Sequence, residues 1–227
     1  MNPTLVVRMG LVDYSTALEF QERLVAARRK QEIDDVLLLL RHPNVITLGR
    51  SNSSRFLKSS ADQLAGEGYP VMEAGRGGEV TFHGPGQLIS YPILQLEEEE
   101  RDLHLHLRRL EQVGIEICAE FGLDAHRVVG RTGVWLGHRK LAAIGVRARS
   151  WITFHGMAFN LTDELEGFNK IVPCGIEDAA VTCLENMVGR RVEWSELENS
   201  FLKHFQNVFL RDIVEIARSE LDERLLN

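Results

Sequence analysis

Apolar residues recur along the chain at two different spacings, and these divide it into strands and helices. Residues 5–9, Leu-Val-Val-Arg-Met, read as a first strand. Behind a candidate N-cap at Asp13, the residues Tyr14, Ala17, Leu18, Phe20, Leu24 and Val25 recur at helical spacing and predict a helix over 14–30. Residues 36–40 are a continuous apolar run, which suits a strand buried on both faces. A turn at His42-Pro43 leads to a strand over 45–49, and a short helix over 61–65 closes at Gly66 and Gly68. Asp102 can cap a helix whose buried stripe is Leu103, Leu107, Leu110, Val113, Ile117 and Phe121, with Cys118 inside it as a small core residue. Residues 133–146 read as a hairpin turning at 137–139, and 151–161 as a strand interrupted at His155-Gly156. Residues 181–184 read as one more strand. Ser195 and Glu198 have the spacing of a capping box ahead of a helical stripe from Leu197 to Phe209, and 213–226 reads as a last helix. Strands and helices are mixed, and several strands are hairpin-connected. The expectation is an α+β (mixed α/β) fold, its mixed or antiparallel sheet flanked by helices, in one domain over 1–227.

Residues 76–91 depart from this regular pattern. Gly77 and Gly78 allow close backbone approach, Glu79-Val80-Thr81-Phe82 reads as a short strand, and His83-Gly84-Pro85-Gly86 breaks it. Residues 88–94 resume as a strand, which Pro92 places at an edge or a bulge. A simple hairpin needs one turn signal. Here two glycine-rich breaks stand among Arg76, Thr81, His83, Gln87 and Tyr91, as in a fold that lines a concave site with backbone N–H groups and a few polar side chains. The third glycine and following helix of a dinucleotide fingerprint are missing.

Composition narrows the classes. With 227 residues, 44% hydrophobic and 26% charged, the chain can bury a full core, and a monomer is the natural expectation. No apolar run approaches the ~20 residues of a membrane span, and residues 1–8 lack the pattern of a signal peptide. Three cysteines with no CxxC pair argue against a disulfide framework or a zinc site and suit a reducing cytoplasm. A net charge of −7 argues against bulk nucleic-acid binding. The charge is uneven, however: residues 126–149 contain no Asp or Glu but carry Arg127, Arg131, Arg139, Lys140, Arg147 and Arg149. Such a basic stretch on an acidic protein suits an anionic partner, while Glu97 to Glu100 read as a solvated acidic loop.

Two residues stand out for chemistry. Cys174 lies between Pro173 and Gly175 in an irregular stretch, where a substrate could reach its thiol. A free cysteine with a pKa of ~8.5 is only a few per cent thiolate at pH 7, so a reactive one needs a neighbouring cation or base. Lys140, entering an apolar strand, is a candidate cation; His83 and His155 are candidate bases, and Cys183 is a rival nucleophile that reads as packing.

Four segments together carry a resemblance: Arg76-Gly77-Gly78 through Tyr91, the hairpin 133–145 with Lys140-Leu141-Ala142-Ala143-Ile144-Gly145, the strand around His155-Gly156-Met157-Ala158, and Pro173-Cys174-Gly175-Ile176. In this order and spacing, over about residues 30–190, they resemble the octanoyltransferases of lipoate biosynthesis, the lipoyl/octanoyl transferase B family. The resemblance implies the fold of the biotin and lipoate protein ligase catalytic domain. It implies transfer of octanoyl from octanoyl–acyl carrier protein to a lysine of a lipoyl domain, in 2-oxoacid dehydrogenase complexes and the glycine cleavage H protein, with no cofactor. Cys174 matches the residue that holds the acyl group as a thioester, and Lys140 its partner. Arg76, Gly77, Gly78, Glu79, Val80, Thr81, Phe82 and His83 match acyl-pocket segments, as do Ala143, Ile144, Gly145, Gly156, Met157 and Ala158, with Tyr91 and His155 in support. An eight-carbon chain in such a pocket would gain ~0.8 kcal/mol per buried CH₂. The competing readings are an ATP-dependent lipoate or biotin ligase, which would not need Cys174, a thioesterase using His83 or His155, and a non-catalytic acyl-carrier-binding module.

Overall fold

A computed structural model describes residues 3–51, 53–172 and 180–226. The chain runs β1 (Thr4–Leu11), α1 (Tyr14–Arg29), β2 (Val36–Arg41), β3 (Val45–Leu48), α2 (Ala61–Gly66), β4 (Val71–Glu73), β5 (Val80–His83), β6 (Gln87–Ile93) and α3 (Leu103–Glu120). It continues through β7 (His126–Val128), β8 (Arg131–Leu136), β9 (Arg139–Arg149), β10 (Ile152–Asn160), α4 (Leu184–Val188), α5 (Trp194–Phe209), β11 (Ile213–Glu215) and α6 (Arg218–Arg224). Among the described residues, eight strands form one mixed sheet in the order β11-β1-β2-β6-β10-β9-β8-β7, and β4-β3-β5 form a smaller one. The expected α+β class with helices flanking a mixed sheet is what the chain adopts. Among the described residues no helix is long and apolar enough to cross a membrane.

Side-chain alternation explains the layers. In β2, Leu37 and Leu39 face a core built with α3 and α5, while Val36, Leu38 and Leu40 face a second core under α1 and α6. All five are buried, as expected of a continuous apolar run in a central strand. The small sheet closes a third core around Ile46, Val80, Phe82 and Phe168.

Six local expectations are corrected. Pro92 lies at neither an edge nor a bulge: β6 is interior, paired with β2 on one side and β10 on the other. The β6–β10 register is the same at Ser90–Met157 and at Gln95–Ile152, so no residue is inserted. Proline, lacking an N–H, sits instead where the continuous pairing with β10 breaks off. Secondly, β10 is continuous through His155 and Gly156. Thirdly, α5 begins at Trp194, so Ser195 is already helical and Glu198 pairs with Arg8 instead of closing a capping box. A capping box does form at Ser60 and Gln63, ahead of α2. Fourthly, residues 213–226 hold a short strand and then a helix, because 213–215 extend the large sheet alongside β1. Finally, Val181 makes only an isolated bridge, and Cys183 is the residue before α4. The acidic run is not merely solvated either, since Glu100 holds Arg109 and Arg211.

Candidate active site

A cavity of about 440 Å³ opens beside β9 and β10, under the loop that precedes β5. The loop is held down by the Gly77 N–H, which donates to the Val146 carbonyl at 3.0 Å. Arg76, Gly77, Gly78, Glu79, Val80, Thr81 and His83 line this cavity from one side, and Ala143, Ile144, Gly145, Gly156, Met157 and Ala158 from the other. Tyr91, Lys140 and His155 reach it as well. Phe82 alone among the described candidates turns away, into the third core against Phe168. That follows from strand alternation, since its neighbours Thr81 and His83 face the opposite side of β5. Cys174 lies outside the described residues. The rival Cys183 is fully buried, and burial pushes its thiol up.

Lys140 is 7% exposed, an unusual place for an ammonium. Its backbone is clamped to the segment that follows Cys174: its N–H donates to the Ala180 carbonyl at 2.9 Å, and its carbonyl accepts from the Thr182 N–H at 3.0 Å. Its Nζ lies 5.5 Å from the centre of the Trp135 ring, within cation–π range. The side chain fits because residue 133 is glycine. A Cβ there would stand 2.6 Å from Lys140 Cε and 2.5 Å from the Ala142 carbonyl oxygen, and the backbone has φ of +138°. Glu111 of α3 fixes that glycine by accepting from its N–H at 3.0 Å, and Arg108 and Arg127 hold the same carboxylate. Asn160 donates to the Thr182 carbonyl and accepts from Gln87, which ties β10, β6 and the Lys140 clamp together.

The exposed mouth is formed by Ser51, Gly78, Gly130 and Arg131, whereas Tyr14, His83, Tyr91 and His155 are buried. His155 pairs across the sheet with Val146, six residues from Lys140, so the aromatic end is set off by about 20 Å along β9. A polar chain runs through it. His42 Nδ1 donates to the Val12 carbonyl at 2.6 Å, which leaves Nε2 to accept from the Tyr91 hydroxyl at 2.8 Å. Burial lowers the His42 pKa to about 4, and burial with the Arg76 and Arg147 charges lowers that of His155 to about 3. His83 is pushed well below its ordinary value by burial, then by His42 and Arg76. All three imidazoles are therefore neutral at pH 7. Burial raises the Tyr14 hydroxyl to about 12, and Tyr91 also lies well above its usual range. Arg76 is itself buried and donates to the Thr47 carbonyl and hydroxyl, both at 2.9 Å.

Tyr14, His42, Trp135 and Arg131 were not singled out as site residues from the sequence. Tyr14 reads as one more member of the buried stripe of α1, and His42 as a turn residue before proline; neither carries a local signal of where its ring points. The basic stretch is also less uniform than its composition suggests. Arg127 is held by Glu111, Arg149 by Glu22, and Lys140 is buried, while Arg131 and Arg139 stay exposed.

Residues 13–206 match the model of the lipoyl protein ligase A/B catalytic domain. An octanoyltransferase of Solibacter usitatus is 43% identical over 202 residues, 89% of this chain and 91% of that protein. One from Caldicellulosiruptor saccharolyticus is 41% identical over 220 residues, 96% of this chain and 94% of its own. The chain belongs to the octanoyltransferase family. As an octanoyltransferase it is an acyltransferase, and its chemistry is octanoyl transfer in protein lipoylation. Its fold is shared more widely. The lipoate protein ligase of Thermoplasma acidophilum superposes with a TM-score of 0.77 at 16% identity, covering 99% of this chain and 91% of that one. A biotin protein ligase from Aquifex aeolicus does so at 0.53 and 15%, covering 91% and 70%.

Proposed function

We propose that this octanoyltransferase works by a two-step exchange through Cys174, with Lys140 as its partner and octanoyl–acyl carrier protein as donor. The observation that carries the reading is the buried ammonium of Lys140 at one end of a cavity walled by Ala143, Gly145, Gly156 and Ala158, its backbone bonded to Ala180 and Thr182 just beyond Cys174. A cation beside a thiol favours the thiolate. In the first step the Cys174 sulfur attacks the donor's carbonyl carbon; the carbon–sulfur bond to the carrier breaks, and the carrier leaves as a thiol after taking a proton. In the second, the neutral amine of a lipoyl-domain lysine attacks the Cys174 thioester. The carbon–sulfur bond to Cys174 breaks, the nitrogen loses a proton and the thiolate returns, so neither step needs ATP.

Exposed Arg131 at the mouth supports an acidic carrier or its phosphorylated arm as donor, and lipoyl domains of 2-oxoacid dehydrogenase complexes and the glycine cleavage H protein are the acceptors in this reading. A cytoplasmic monomer with one catalytic domain and no cofactor completes it. The test is intact-protein mass after mixing with octanoyl–acyl carrier protein in the absence of ATP, beside Cys174→Ala. One octanoyl group should add to the native chain, be absent from the variant, and be discharged by a lipoyl domain. No adduct, but octanoylation of the lipoyl domain once ATP and free octanoate are supplied, would overturn the exchange in favour of ligase chemistry.

A further inference from the structure

The rim of the cavity is uneven. Ser51 and Gly78 form one side of it, and neither presents an apolar side chain. On the other side stands the β7–β8 hairpin, where Val128 pairs with Arg131 and residues 129 and 130 make the turn. Gly130, with φ of +76°, supplies the left-handed position of that turn. Val129 beside it is 98% exposed, the highest value among the exposed large hydrophobic residues described. Turns favour polar residues and glycine, so nothing local asks for valine here. A scattered surface valine would mean little. This one is continuous, through Gly130, Arg131 and Thr132, with the cavity wall, where Leu107 of α3 is partly buried.

The surface around Val129 is cationic. Arg131 is exposed, and Arg108 and Arg127, with side chains 52% and 35% exposed, share the single carboxylate of the fully buried Glu111. Arg127 also donates to the Arg108 carbonyl at 3.0 Å, which holds the two arginines side by side against the hairpin. No Asp or Glu occurs from residue 126 to 149. Three guanidinium groups against one buried carboxylate leave a positive face around an apolar tip, which is complementary to an acidic protein surface with an apolar spot in it.

The hairpin also stands close to the chemistry. Trp135 Nε1 donates to the Arg131 carbonyl at 3.2 Å, and Lys140 Nζ lies 5.5 Å from the Trp135 ring centre, so a single indole separates the turn from the ammonium. Two protein partners visit this mouth in the exchange proposed above. The donor brings its thioester on a long flexible arm, and its body can stand away from the rim. The acceptor brings an amine on a lysine stem of only four carbons. Its body must therefore rest on the rim for the amine to reach the neighbourhood of Lys140, which is 7% exposed. We propose that the β7–β8 hairpin is the docking surface of the acceptor domain. Val129 meets an apolar spot beside the acceptor lysine, and Arg108, Arg127 and Arg131 face carboxylates around it. This rests on the acyl-transfer reading above.

The experiment times the two half-reactions separately in the native chain, Val129→Asp and Val129→Lys. Intact-protein mass follows adduct formation from octanoyl–acyl carrier protein, and then discharge of the isolated octanoyl-enzyme by a lipoyl domain. At 98% exposure Val129 contributes no packing, so folding is not at risk. Val129→Asp should raise the lipoyl-domain concentration for half-maximal discharge about tenfold, and leave the maximal rate and adduct formation within about twofold of native. Val129→Lys should lose less, because its charge attracts an acidic partner. Unchanged discharge in Val129→Asp, or equal losses in the two variants, overturns the proposal. A loss in adduct formation as large as that in discharge also overturns it and gives the hairpin to the carrier. If no adduct forms at all, the exchange itself fails, and docking is read instead by NMR titration of a labelled lipoyl domain with each chain. Shifts around the acceptor lysine that weaken in Val129→Asp support the surface. No shift with the native chain, or equal shifts with both, refutes it.

Discussion

Single atoms decide how Lys140 is presented. The glycine at 133 leaves the space that Lys140 Cε occupies, in a backbone conformation that other residues adopt only with strain. Gly133→Ala should therefore act on both stability and chemistry. Strain and the 2.5 Å approach to the Ala142 carbonyl should cost about 1–3 kcal/mol. Displacement of the ammonium should slow octanoyl-adduct formation at least tenfold, about 1.4 kcal/mol of barrier. Stopped time points read by mass spectrometry measure this, and a native rate in a destabilised variant would show that the position of Lys140 does not matter. At this scale the sequence was partly legible. Lys140 drew notice because an apolar strand follows it, and Gly77 and Gly78 because paired glycines imply close approach. Gly133 read only as the start of a hairpin, since the collision it avoids is with residues 140 and 142 across the strand pair.

Among the elements, the long periodic ones were legible because burial on one helix face or on both strand faces imposes its period directly. Helices α1 and α3 and strand β2 appear within a residue or two of where their patterns place them. What failed depended on neighbours. The same Ser-x-x-Glu/Gln spacing caps α2 but not α5, where Trp194 packs against the first core, lies under Arg41 at 4.6 Å, and begins the helix one residue before Ser195. Pro92 was read by its missing N–H, yet an interior strand accepts it where pairing lapses. The contact between α3 and the β8–β9 hairpin is likewise invisible in sequence, and to the apolar packing of the first core it adds a polar tie at Glu111. This carboxylate is fully buried and serves Gly133 N–H, Arg108 and Arg127 together. Glu111→Ala strands a buried N–H and should lower stability by about 2–4 kcal/mol in urea unfolding. Glu111→Gln, which keeps an acceptor for Gly133, should restore at least half of that. Equal losses in the two variants would mean that charge, not the Gly133 bond, joins helix to hairpin.

Across the whole molecule, the arrangement that keeps a polar cavity inside an apolar fold sets its response to acid. Burial holds His42 and His106 at about 4 and His155 at about 3, and His83 also lies well below 6.5. The sign follows from proton counting. Above pH 6.5 both the folded and the unfolded chain keep these rings neutral, and they contribute no pH dependence. Between 6.5 and about 4 the unfolded chain binds protons that the folded chain refuses, so stability falls as pH falls. Each ring removes up to about 1.4 kcal/mol per pH unit, and four bring the slope to roughly 5 kcal/mol, comparable with the whole stability of many domains. Glu100, whose burial is outweighed by its bonds to Arg109 and Arg211, adds to the loss below its ordinary pKa of 4.5. The melting temperature should therefore drop by roughly 10–20 °C between pH 7 and 5.5. His106 separates this effect from catalysis. It lies outside the cavity against Phe209, 1% exposed, with neither ring nitrogen bonded among the described residues. His106→Leu replaces a buried polar ring with an apolar side chain in contact with the first core. It should melt no lower than the native chain at pH 7 and lose about a quarter of the acid slope. An unchanged slope would place the acid sensitivity elsewhere, and a flat native profile from pH 7 to 5.5 would mean that the buried rings find protons, and water to carry them, without unfolding.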